Sequence, residues 1–144
     1  MTDPADLSDL PDPAAQHPPD LDELHAIAAA AFGTIPAELR RSVAGVVIRV
    51  ADFPDADVIA DLKLDSPFDL LGLYQGVSLD RKSVLDTPGD VDMIFLYRRP
   101  ILDYWCETGE DLGHVVRHVL IHEIGHHFGL SDDDMDRIEQ APRL

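Results

Sequence analysis

The chain has 144 residues, enough for one domain around a single core, and its 45% apolar content fits a packed globular fold. Eleven basic residues face 28 acidic ones, a formal charge of -17. A field of that sign repels a phosphate backbone, so nucleic acid is not an expected partner.

Residues 1–20 are rich in proline and aspartate and poor in large apolar groups. Such a segment buries too little surface to offset its ordering entropy, and a disordered acidic tail is expected there. It lacks the basic and apolar regions of a secretory signal. No later run approaches the roughly 18 apolar residues of a membrane span. The single Cys106 forms no internal disulfide. These features lead us to expect a cytoplasmic protein with no membrane partner.

From residue 21 to the end we expect one domain. Leu21, Leu24, Ile27, Ala28 and Ala31 recur at helical spacing, with Asp20 as N-cap and Gly33 at the end. Residues 42–54 are β-branched and predict a largely buried strand bounded by Pro54. A short helix is expected over 55–62. The stretch 70–79, with Gly72 and Gly76 flanking Tyr74, predicts a short strand or hairpin with close backbone approach. A second clear strand spans 91–99 and stops at Pro100, which opens a short helix. The longest helix begins near Glu110, carries Leu112, Val115, Val116, Val119, Leu120 and Ile124 on one side, and ends at Gly129. A last helix over 131–140 has Ser131 or Asp132 at its N-cap. The predicted class is α+β.

On the longest helix, His114, His118, His122 and His126 stand four residues apart. Each step of four advances about 40° around the axis, so any adjacent pair is spaced to grip one metal. Glu123 breaks the tie. It makes H-E-x-x-H from His122 to His126, in which two imidazoles hold Zn²⁺ and the glutamate serves as general base. His114 and His118 lack a glutamate in that place and are expected in a partly solvated polar stripe, with a role in supporting the ligands or facing substrate as the alternative.

A catalytic zinc usually keeps three protein ligands and an open position. Gly129 stands three residues after His126, where a left-handed glycine ends a helix and turns the chain. A residue three further on, Asp132, would return beneath the metal. The pattern H-E-x-x-H-x-x-G-x-x-D matches the metzincin spacing, with aspartate in place of the third histidine. Two rivals stay open: Asp133, through a one-residue slip, and Glu139, in a thermolysin-like arrangement. His127 lies about 100° around the helix from His126 and faces elsewhere.

On "HVLIHEIGHHFGLSDDDM", "LLGLYQGVSL" and "MIFLYRRPIL" the chain resembles the small bacterial zincin-like metallopeptidases, also called minimal metalloprotease-like proteins. The resemblance covers roughly residues 37–140. It implies a minimal zincin-like fold, a small mixed sheet packed on the active-site helix. It also implies zinc on His122, His126 and Asp132, with Glu123 as catalytic base.

The expected chemistry is hydrolysis of a peptide bond by a water that Glu123 deprotonates. His127, Tyr97 and Arg98 are candidate oxyanion donors. Met135 either packs beneath the metal or fills the core, the second reading being favoured. The segment 93–97 is the candidate edge for pairing with an extended peptide or protein substrate, with an ordinary core strand as its equal rival. Only twelve residues follow Asp132, too few for a lower subdomain. We therefore expect shallow pockets, a monomer, and room for a protein partner that completes the cleft. The competing class is a binding or regulatory module with a structural or vestigial metal.

Overall fold

A computed structural model describes residues 17–76 and 91–140. The first helix, α1 (Leu21–Gly33), starts where the sequence places it. Asp20 accepts the Glu23 amide proton at 2.7 Å, and the Glu23 carboxylate accepts the Asp20 N–H at 3.2 Å, closing a capping box. Leu24, Ala28 and Ala31 form its buried stripe. A short α2 (Ala37–Ser42) follows, which helical periodicity does not reveal because none of its six residues is buried.

The first strand is shorter than expected. β1 covers Val47–Ala51, and the preceding residues turn through Gly45 at φ +86° instead of extending. Its residues are half-buried or exposed, so the largely buried strand predicted over 42–54 is corrected. The cause is position: among the described residues β1 has a strand partner on one side only. Asp55 caps α3 (Ala56–Asp61) by accepting from Val58 N–H at 2.9 Å.

β2 (Gly72–Gln75) and β3 (Met93–Tyr97) complete a three-stranded mixed sheet of order β1-β3-β2. β1 runs parallel to β3, with Ile48 opposite Ile94, and β2 runs antiparallel to it, with Tyr74 opposite Ile94. The expected strand or hairpin over 70–79 appears as β2, and its last three positions lie outside the described residues. β3 is the central strand, so its assignment as a substrate-pairing edge is corrected. Ile94, Leu96 and Tyr97 are buried, as a strand paired on both sides requires.

α4 (Arg98–Thr108) starts directly from β3, with Pro100 in its first turn, and ends at the left-handed Gly109. Asp111 caps α5 (Leu112–His127) by accepting from His114 N–H at 3.1 Å. α5 buries Val115, Val116, Val119, Leu120, Ile121 and Ile124 against α1 and the sheet. At roughly 1.5–3 kcal/mol per large apolar side chain, this face is the main anchor of the fold. Arg117 is also buried on α5, donating to Thr34 Oγ1 at 2.9 Å and to the Glu139 carbonyl at 3.1 Å. α6 (Asp132–Gln140) closes the described chain. The class is α+β, a minimal zincin-like arrangement of a small mixed sheet against one long helix.

β2 lies close enough to α5 to require glycine. A Cβ at Gly72 would stand 2.7 Å from Val119 Cγ1 and 3.0 Å from the Phe95 carbonyl oxygen. Because one obstacle is backbone, Gly72→Ala should cost about 1–3 kcal/mol of stability in urea unfolding. An unchanged midpoint would show that β2 does not press on α5.

Candidate metal centre

α5 ends as the sequence indicates. Gly129 takes φ +72°, its N–H donates to His126 O at 3.2 Å, and Leu130 N–H donates to Gly125 O at 2.8 Å. These two bonds make a Schellman turn that reverses the chain. Ser131 then caps α6, accepting from Asp134 N–H at 3.1 Å, while the Asp134 carboxylate accepts from Ser131 N–H at 3.3 Å. Of the two N-cap candidates, Ser131 holds the position and Asp132 is the first helical residue. The reversal brings Met135, fully buried, onto Gly125 of α5. Its sulfur and Cγ occupy the space a Cβ at Gly125 would need. Met135 thus fills the core between the two helices, on the turn between His122 and His126.

Glu139 follows Met135 by four residues and shares the face that α6 turns to α5. Its carboxylate bonds His118 Nδ1, and one oxygen lies 4.0 Å from His122 Nε2. The rings of His118 and His122 stand 4.1 Å apart, centroid to centroid. Among the described residues, His118, His122 and Glu139 form the one group whose ligand atoms all lie within 4.8 Å of one another. His118 is therefore not simply part of a solvated stripe, whereas His114 is exposed.

His122 belongs to both candidate ligand sets. The His126 ring stands 5.9 Å from it, nearly perpendicular at 88°. Asp132 and His126 are exposed, and the Asp132 charge reaches His122, favouring its protonated form. Burial outweighs that effect. Desolvation first, then the neighbouring His118, hold the His122 pKa below its ordinary value, against the pull of Glu139. A neutral imidazole is the form that binds metal. Its Nε2 is buried and finds no hydrogen-bond partner among the described residues. A nitrogen in that state, beside histidines and carboxylates, fits a zinc-type cation.

Glu123 projects toward the sheet. Its Oε1 accepts from Tyr74 N–H of β2 at 3.2 Å. Burial raises its pKa, partly offset by that hydrogen bond and by the charge of His126. His127 faces away from His126, as the helical angle requires. It stacks on Tyr74 at 3.9 Å and 16°, and a Cβ at Gly76 would come within 2.5 Å of its ring. The Tyr74 hydroxyl donates to Asp92 at 2.8 Å; burial and that bond raise its pKa. This Tyr74–His127 contact is a feature the sequence did not expose, because it joins residues 53 positions apart.

Two further candidates separate. Tyr97 is buried and its pKa is pushed up to about 12, first by burial and then by the charges of Asp55 and Glu123. It keeps its proton and remains a donor at neutral pH. Arg98 is held elsewhere, its Nε donating to Pro19 O at 2.5 Å and its Nη1 to Asp52 at 3.1 Å. Its guanidinium clamps the entry to α1 against the end of β1.

The raised pKa of Glu123 carries a stability consequence. The folded chain holds the Glu123 proton more tightly than the unfolded chain does. The stability this contributes is present below the ordinary value of 4.5 and is lost as pH rises through the folded value. In metal-free protein, Glu123→Gln should therefore raise Tm at neutral pH. The gain should vanish in acid below 4.5. Parallel Tm profiles at every pH would mean that the carboxylate is solvated.

A family model for zincin-like metallopeptidases matches residues 43–141. No curated protein matches the chain. The match begins after α2 and spans the three strands, α5 with its H-E-x-x-H, the Gly129 turn and α6, about two thirds of the chain. By that extent, the chain belongs to the zincin-like metallopeptidase family.

Proposed function

We propose that the chain is a zinc-dependent peptidase that uses Glu123 as general base, with His122, His126 and Asp132 as the catalytic ligands. The observation that carries this reading is the placement of Glu123. Its carboxylate is largely withdrawn from water, follows directly on the half-buried His122, and is held by a backbone N–H of β2. A structural metal site needs no such base.

Held by His122, His126 and Asp132, a zinc ion would supply Lewis-acid chemistry to the bound water and the substrate carbonyl. Glu123 accepts the proton of the attacking water and passes it to the leaving amine. Its raised pKa makes it a stronger base for the first transfer, and the Tyr74 N–H keeps its oxygen from turning away. Tyr97, buried and protonated, is the better oxyanion donor of the candidates, since Arg98 is committed to Asp52 and Pro19. His127 positions Tyr74 by stacking.

Among the described residues β2 is the sheet edge on the α5 side, and we assign it the pairing with an extended peptide substrate. Its short length limits the number of substrate residues held, which favours a narrow specificity or a partner protein that extends the cleft.

Glu123→Gln separates this reading from that of a binding module. The variant should keep its zinc, measured by elemental analysis, while hydrolysis of an unstructured peptide library falls at least about 100-fold. Zinc-loaded wild type with no hydrolysis above buffer, or a Gln variant as active as wild type, would remove the peptidase assignment.

A further inference from the structure

α6 is amphipathic in an unusual way. Its buried face carries Met135 and, four residues on, the carboxylate of Glu139. The Glu139 side chain is only 17% exposed, and His122 is 24% exposed. A carboxylate brought to a packed helix face is costly unless its oxygens are engaged. His118 engages one oxygen. That leaves His122 Nε2, buried, 4.0 Å from the same carboxylate and without a hydrogen bond among the described residues. Three ligand atoms of the types zinc prefers thus converge, two from adjacent turns of α5 and one from α6.

We propose that His118, His122 and Glu139 form a divalent-cation site of their own, overlapping the H-E-x-x-H set at His122 and binding a borderline transition metal such as Zn²⁺. This set does not include Glu123, His126 or Asp132. It stands whether or not the peptidase reading holds. A cation there would satisfy His122 Nε2 and both His118 and Glu139 at once. It would also tie the C-terminal turn of α6 to the middle of α5, adding to Met135 and to the hydrogen bond from Arg117 to the Glu139 carbonyl. Because His122 is shared, a cation in this site competes with one held by His126 and Asp132.

The site is tested in the full chain, stripped of metal and titrated with Zn²⁺ alone in competition with a chromophoric chelator. His126 and Asp132 are exposed, so the double variant H126A/D132A empties no core. It should still take up one equivalent of Zn²⁺, and Zn²⁺ should raise its Tm. Adding H118A and E139Q to that background should weaken uptake at least about 100-fold and abolish the Tm rise. A folded H126A/D132A that binds no Zn²⁺ would overturn the proposal, as would undiminished binding in the quadruple variant. If far-UV circular dichroism shows either set to be unfolded, H126N/D132N and H118N/E139Q are read in the same way.

Discussion

The contact on which the rest depends is Met135 against Gly125. Glycine in the middle of a helix costs stability relative to alanine, and here it leaves the space into which the methionine side chain packs. That contact docks α6 on α5, and everything α6 brings to the histidine row follows from it. Asp132 arrives at the first turn, where its charge is felt by His122, and Glu139 arrives one turn beyond the methionine. The Schellman turn at Gly129 sets the reversal, but a turn alone orients a helix loosely. The methionine fixes its rotation.

α5 serves two purposes on two faces. Its apolar face is consumed by α1 and the sheet, which immobilises the helix. Histidines on the remaining face are therefore presented with little freedom of backbone, as a metal site needs. Glu123 lies between these faces, and its environment shows it: largely dehydrated, yet bonded to the edge of β2. Gly72 and Gly76 matter for the same reason. Both let β2 come close enough that strand and helix share Glu123, Val119 and His127.

The strong negative charge of the chain has a local meaning at this centre. Three aspartates open α6, where the helix dipole favours anions, and one of them is used as a cap. Carboxylates gathered beside a neutral, dehydrated imidazole make a field that attracts cations. That field does not by itself choose among ligand sets. Asp132 and Glu139 lie nearly two helical turns apart on α6, and each addresses His122 in its own way.

Much of the local structure was legible in the residues. Asp20, Asp55 and Ser131 mark helix starts, because a short oxygen-bearing side chain can take an orphan amide proton. Gly129 marks the end of α5, because the required φ is positive. H-E-x-x-H places a carboxylate one position after the first of two histidines a helical turn apart, because helical angles follow from spacing alone. What spacing could not supply was the partner of each element. Whether β3 is an edge or a centre depends on which strands flank it, and two did, so the edge passed to β2. Whether His118 is solvated or engaged depends on where Glu139 lands, and that is set by Met135 on Gly125, ten residues along the chain. The sequence alone determined the longer helices, most of their caps and the spacing of the histidine row, all of which are local, whereas α2, with no buried residue, it did not reveal. The tertiary structure decided the order of the strands and the company His122 keeps, because packing between distant segments chooses both.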